Sequence, residues 1–404
     1  MSDDKKSQIK EAIRQLDAGA SPQQVKEKFR NVLEGTDPLE IAKIEEKLAK
    51  EGMKREEMRK LCDVHMAIFK EKLEKQTSNM KSSQPISILM EEHKIMLQLA
   101  EKLVSLANKI LKITDLQYVT EEIHQVEHIT EDFTDSEKHY KREENVLFAI
   151  VEKHGITEPP AIMWMEHDQI REKKKSLQQL IKDVDTQNFP NFKTQLWKTS
   201  KNLSNLLASH FYKENNILFP AAMSVVTEPE WIDVRKEFDE IGYCCFTPPE
   251  LITIMPPEAE GSQTQTSPVA LNLETGNLTK TQIEALLNTL PVDITFVDAD
   301  DTVQYFNKPD KRFFVRTKAV IGRKVANCHP PKSLRIVSKI VESFKSGKKN
   351  VAEFWITMNG RFLLIRFFPV RDSNGKYLGA IEVVQDLTEL KKLEGERRLL
   401  DWTD

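Results

Sequence analysis

Residues 139–143 read His-Tyr-Lys-Arg-Glu, and residues 210–214 read His-Phe-Tyr-Lys-Glu. Each copy places an imidazole and a carboxylate four positions apart. On a helix those positions share a face one turn apart, so each pair can serve one point in space. Two further histidines have acidic neighbours in apolar text of helical period: His93 in ILMEEHKIMLQL and His167 in AIMWMEHDQIR. One His-x-x-x-Glu is common on a solvated helix face; two copies with single histidines on two other helices are not. Four histidines and two carboxylates projecting from four helices can ligate two metal ions in a bundle core.

The donor set contains no thiolate, which suits iron or manganese and fits copper(I) poorly. Zinc usually takes a single tetrahedral cage, and six ligands exceed that. The expected arrangement puts His93 and His139 on one ion and His167 and His210 on the other, with Glu143 and Glu214 bridging. Two non-haem iron ions so held, joined by an oxo or hydroxo bridge, keep a position for a small exchangeable ligand. A structural metal or an iron store is the plainer alternative.

Long helices must position these residues. Apolar spacing predicts one over 86–112 with His93 and a second over 117–153 with His139 and Glu143, ending near Gly155. A third is predicted over 161–184 with His167, after Pro159-Pro160, and a fourth over 190–224 with His210 and Glu214. Short connections predict antiparallel neighbours. His124 and His128 are themselves four apart; His128 precedes His139 by eleven residues, about 16 Å along a helix, so it cannot join the same centre and is expected either at a solvated position or behind the candidate ligands. Glu144 points about 100° away from Glu143 and is expected behind the ligands or at the surface. His154 beside Gly155 suits a helix C-terminus.

Residues 5–76 read as a small all-helical module, and 76–85 as a polar linker. Leu61, His65 and Phe69 share an apolar stripe there, which makes His65 a core residue in preference to a ligand; Cys62 reads as a structural thiol. After the bundle, expected over 86–225, come a helix over 231–243, the pair Cys244-Cys245 read as buried thiols, and a linker over 247–275. Residues 226–275 are thus helix and linker.

From residue 281 the period changes. Strands are expected over 292–298, 303–307, 351–358 and 361–371 and in YLGAIEVVQDLTEL after the Ser373-Asn374-Gly375 turn, with a helix over 333–347. Asn359-Gly360 is a strong hairpin signal. The fold is α/β with an antiparallel sheet, and residues 391–404 read as a charged helical tail. Cys328-His329-Pro330-Pro331 precedes the inserted helix. His329 is a candidate cofactor contact, to haem or to an organic ligand; the alternative is an exposed loop histidine.

The totals exclude several classes. Net charge is −4, from 59 basic and 63 acidic residues, so no global basic footprint points to nucleic acid. Four cysteines without a Cys-x-x-Cys make neither a disulfide framework nor a zinc ribbon. The start, MSDDKKSQIKEA, lacks the apolar core of a secretory signal. No apolar run reaches the ~18 residues needed to span a bilayer. The expected setting is a reducing cytoplasm.

The order lone His, His-x-x-x-Glu, lone His, His-x-x-x-Glu resembles the hemerythrin-like (HHE cation-binding) family, closer to its iron-centre repair proteins than to oxygen carriers. Residues 281–390, with a closing strand followed by Asp386-Leu-Thr388, resemble a PAS domain. With LCDVH at 61–65 and NCHPPKS at 327–333, the whole order is similar to bacterial proteins that join domain of unknown function 438, hemerythrin and PAS. The resemblance implies a mostly α, multidomain chain: a small helical module, a four-helix di-iron bundle and a C-terminal α/β PAS domain. It implies a sensor or binding protein in preference to an enzyme. The bundle would bind or react with O2, NO or reactive oxygen, and an unidentified PAS ligand would add a second signal. The alternatives are an enzyme of nitrosative or oxidative stress defence, by NO reduction or iron-centre repair, and an iron-binding scaffold. Repair proteins carry paired cysteines in an N-terminal segment, whereas here the pair follows the bundle. No kinase, cyclase or DNA-binding output is read from the chain, so a sensor would act through a protein partner. A homodimer through the PAS domain or the C-terminal helix is one arrangement open to it.

Overall fold

The computed structural model describes residues 85–184, 188–253, 270–273 and 275–396, with Glu11 and Gln15. Apart from those two residues, the N-terminal module expected over 5–76, with Cys62 and His65, lies outside the described residues. The chain divides into two units, Met1–Glu258 and Ala259–Asp404.

The first unit is helical. Helix α1 (Pro85–Leu111) buries Leu89, Met96, Ala100, Leu103, Ala107 and Ile110 on one stripe. That spacing of three and four is the apolar face of a helix, and Glu92 and His93 interrupt it as buried polar groups. The chain then forms α2 (Thr120–Asp135), α3 (Glu137–Arg142), a π-helical turn (Glu143–Leu147) and α4 (Phe148–Lys153). Helix α5 (Glu158–Lys182) opens earlier than the spacing predicts and holds Pro159-Pro160 in its first turn. The first turn tolerates proline because its N–H groups have no intrahelical partner. Helix α6 (Phe189–Lys213) is capped by Asn188, whose side chain accepts from Asn191 N–H. It runs into a second π turn (Glu214–Leu218) and α7 (Phe219–Val225). Helix α6 packs on α1 and α5, and α2 packs on the same two. Phe133, Phe192, Leu203 and Phe211 fill the core between them.

Helix α8 (Glu228–Ile241) starts with a capping box of Thr227 and Glu230 and buries Trp231, Val234 and Phe238. It overlaps the helix expected over 231–243. The linker expected from 247 does not begin there. Arg235 donates to the carbonyls of Leu251 and Ile252, holding the short helix α9 (Pro249–Ile252) to the first unit. Among the described residues no helix is long and apolar enough to cross a membrane.

The second unit begins with a hairpin, β1 (Ala270–Leu273) and β2 (Gly276–Thr279), and helix α10 (Lys280–Thr289). None of the three is expected from composition, since polar loop text conceals them. Thr279 caps α10 by accepting from Gln282 N–H. A five-stranded antiparallel sheet follows, formed by β3 (Asp293–Asp298), β4 (Val303–Phe306), β5 (Ala352–Met358), β6 (Arg361–Arg371) and β7 (Tyr377–Asp386). Its order is β4-β3-β7-β6-β5, and helix α11 (Pro331–Lys345) lies between β4 and β5 in sequence. Asn359 and Gly360 have φ of 51° and 75°, as a two-residue hairpin turn with both centres left-handed requires. At Gly379, paired with Asp298, a Cβ would lie 2.1 Å from the Val297 carbonyl oxygen, so only glycine lets β7 approach β3 so closely. Of the helical tail expected over 391–404, residues 397–404 lie outside the described residues; before them Leu390–Lys392 is a single 3-10 turn, and residues 393–396 are not helical.

Candidate metal centre

Each His-x-x-x-Glu motif ends where the helix widens. Phe148 N–H donates to Glu143 O and Phe219 N–H to Glu214 O, five residues back. A π turn accommodates one extra residue and commonly marks functional sites. The asparagine two places after each glutamate supports the turn: Asn145 donates to Lys141 O (2.9 Å) and Asn216 to Tyr212 O (2.7 Å). The sequence reading expected plain α-helix at both places.

Four helical segments bring the six candidate residues together, all fully or almost fully buried. His93, His139, Glu143 and Glu214 form one group, and Glu143, His167, His210 and Glu214 a second, with ligand atoms within 4.8 Å of one another in each. Glu143 Oε2 lies 3.4 Å from both His139 Nε2 and His167 Nε2. Glu214 Oε2 lies 3.2 Å from His93 Nε2, and its Oε1 lies 3.1 Å from His210 Nε2 and 3.4 Å from His167 Nε2. Both carboxylates therefore belong to both groups, which is consistent with a dimetal site.

The residues fit such a pair of ions. His139 Nδ1 donates to Glu92 (2.7 Å), His167 Nδ1 to Glu144 (2.8 Å), His210 Nδ1 to Glu166 (2.9 Å) and His93 Nδ1 to the Asn215 side-chain carbonyl (3.0 Å). A carboxylate or carbonyl oxygen only accepts, so in the neutral rings each Nε2 presents a lone pair to the centre. The lone pairs of His93 and His139 then face each other at 3.1 Å. All four oxygens of Glu143 and Glu214, and Nε2 of His167 and His210, have no hydrogen-bond partner. Such an assembly of acceptors is repulsive unless cations sit among them. Two donors each about 2.1 Å from one ion and at right angles would stand roughly 3.0 Å apart, close to the spacing seen. Burial alone would depress the His167 pKa, yet Glu143, Glu144 and Glu214 raise it well above the ordinary value. The site attracts positive charge.

The groups behind the candidate ligands are mostly unmarked in the sequence. Glu92 and Glu166 are each adjacent in sequence to a candidate histidine, but each bonds a histidine on another helix. Successive helical side chains diverge by about 100°, so an Glu-His dipeptide cannot serve itself. Burial would raise the Glu92 pKa, but Arg142 and His139 hold it at about 2. Glu144 is held at about 2 by Arg171 and His167, and Glu166 at about 2 by His210 and Lys213, each against burial. Glu92 also accepts from Thr247 Oγ1 (2.5 Å), and the Arg142 guanidinium packs over Tyr243 at 4.8 Å and Phe238 at 5.5 Å. Tyr140, fully buried, lies against His167 at 4.6 Å between ring centroids, and its hydroxyl has no hydrogen-bond partner.

The remaining candidates lie elsewhere. His124 and His128 are exposed and pair with Glu127 and Glu131 one turn on. His154 pairs with Glu230 at 3.0 Å. Cys244 is buried and Cys245 exposed, and neither is bridged. Burial and then Glu92 push the Cys244 thiol up to about 12, and burial and then Asp135 push Cys245 up to about 11. In the second unit half-buried His329 lines a cavity of about 50 Å³ with Arg316, Val337, Ile340, Phe367 and Glu382. That volume holds a few waters and is well below the roughly 300 Å³ of a small-molecule pocket.

Comparison with known proteins assigns the segments. Residues 9–75 match a family of unknown function (DUF438), residues 84–222 the hemerythrin HHE cation binding domain, and residues 283–388 the PAS domain. No curated protein matches the chain. Among solved structures, a C-terminal domain from Streptococcus mutans is 34% identical over 31% of this chain and 98% of its own, with a TM-score of 0.30. The PAS domain of a Colwellia psychrerythraea protein is 18% identical over 27% of this chain and 97% of its own, with a TM-score of 0.22. The PAS domain of BvgS from Bordetella pertussis is 21% identical over 27% and 89%, with a TM-score of 0.23. From its N-terminus on, the chain thus carries a DUF438 segment, a hemerythrin HHE cation-binding domain whose core holds a buried His/Glu metal-site cluster, and a PAS sensory domain.

Proposed function

We propose that His93, His139, Glu143, His167, His210 and Glu214 hold two non-haem irons, and that this centre binds or reacts with O2, NO or reactive oxygen and reports through the PAS domain. The observation that supports the reading most is the sharing of both carboxylates by two buried groups of four residues. Iron bound there would supply one-electron chemistry and, at about six-fold coordination, positions open to a small ligand. The chain's own part is to hold the rings and exclude water. Glu92, Glu144, Glu166 and Asn215 keep the proton on each Nδ1 and aim each Nε2 inward. Phe211 stacks on His93 at 4.0 Å and Phe148 on His167 at 5.7 Å, closing the centre with apolar rings. The repair reading draws no support from Cys244 and Cys245, since thiols titrating that high are poor nucleophiles at neutral pH. The output runs to a protein partner or to a second copy of the chain, in the cytoplasm.

Metal analysis of chain produced with iron should return two irons; one zinc, or no metal after iron loading, would refute the centre. Rapid mixing of the reduced chain with O2, and separately with NO, should give a single stoichiometric spectral change. Multiple turnover would move the reading to an enzyme of stress defence.

A further inference from the structure

The centre is built twice from one plan. In the first half Glu92 and His93 lie on α1, and His139, Arg142, Glu143 and Asn145 lie on α3 and its π turn. In the second half Glu166 and His167 lie on α5, and His210, Lys213, Glu214 and Asn216 lie on α6 and its π turn. The hydrogen bonds repeat. Glu92 accepts from His139 Nδ1 and from the Arg142 guanidinium, as Glu166 accepts from His210 Nδ1 and from Lys213 Nζ.

The repeat fails at the residue after each shared glutamate. Glu144 stands in one half and Asn215 in the other. Glu144 accepts from His167 Nδ1, and Arg171, four residues after His167, binds both its oxygens at 2.8 and 3.0 Å. Asn215 accepts from His93 Nδ1, and four residues after His93 stands Leu97, which offers no charge. The ion pair and the neutral pair are alternative ways to fill one position. Three imidazoles are therefore backed by carboxylates and one, His93, by an amide.

A carboxylate behind a ligating imidazole raises its basicity and strengthens its bond to a metal; an amide does so less. We propose that the two ion positions are inequivalent, with the His93–His139 position the more weakly held and the more electron-poor of the two. The inference rests on the dimetal reading and deepens it: one ion is retained, and the other is the position that exchanges.

The test is removal of iron from the reduced full chain by a ferrous chelator, followed by absorbance. Two phases are expected, separated by about tenfold. Anomalous diffraction from half-depleted protein should place the remaining ion between His167 and His210. Glu144→Gln keeps the shape and an acceptor oxygen but removes the charge, and should bring the slow phase up to the fast one, with circular dichroism confirming the fold. A single phase in the wild type, residual iron at His93–His139, or a slow phase unmoved in Glu144→Gln would overturn the inference. A starting content below two irons would instead remove the dimetal reading itself, and the inference with it.

Discussion

Glu143 and Glu214 differ in kind from the three buried carboxylates that back the histidines. Glu92, Glu144 and Glu166 each face a cation, whereas Glu143 and Glu214 face only imidazole nitrogens. Replacing either of the latter by alanine should abolish a coupled dimetal spectrum. His124→Ala and His128→Ala should leave metal content and spectrum as they are; an effect of either comparable to His139→Ala would contradict the assignment. His329 allows a test by pH. Burial, then Arg316 and Arg323, pull its pKa from 6.5 down to about 4. The folded state then binds fewer protons than the unfolded state between those values. Stability is fully present above the unfolded value and falls as pH drops through 6.5 towards about 4. Urea unfolding of the chain between pH 8 and pH 5, read on the PAS unit, should show this loss in the wild type and a weaker one in His329→Gln.

At the scale of elements, the segment after α8 completes the centre. Thr247 bonds Glu92, and Arg235 ties the last turn, α9, to the bundle. A fragment of residues 85–253 should bind metal as the full chain does. One ending at 245 lacks Thr247, and the position supported by Glu92 through His139 should weaken by about tenfold, measured by chelator competition. Equal affinities in the two fragments would show that Thr247 contributes nothing. The π turns offer a second test. Asn145→Ala or Asn216→Ala removes a side-chain bond to the carbonyl of Lys141 or Tyr212, in the last helical turn before each π turn, and should cost about 1 kcal/mol of bundle stability, read by denaturant unfolding.

The chain divides into two units, of which the described residues make the first helical and build the second on a five-stranded sheet. Metal that binds only the folded state stabilises by mass action, and the candidate ligands all lie in the first unit. Thermal unfolding of the iron-loaded chain should show two transitions. Removing the metal should lower the bundle's transition by several degrees and leave that of the PAS unit in place. A shift of both by the same amount would mean that the units unfold as one.

Much of the site was legible because helical geometry is local. A spacing of four places His139 with Glu143 and His210 with Glu214 without knowledge of the fold, and the apolar stripes around His93 and His167 mark them as inward-facing. The strands of the sheet were legible for a similar reason, through alternation and Asn359-Gly360. What escaped was non-local. That Glu92 serves His139, Glu166 serves His210 and Glu144 serves His167 depends on how helices pack, and sequence adjacency points to the wrong histidine in the first two cases. The π turns at Glu143 and Glu214 carry no composition signal, because one extra residue per turn is decided by what the downstream side chains must bury. Thr247 and α9 sit in text that reads as linker, and only the Arg235 and Glu92 contacts recruit them. The sequence alone marked the candidate metal-binding residues; the tertiary structure decided which groups stand behind them, because hydrogen bonds between helices depend on packing that no spacing along one helix encodes.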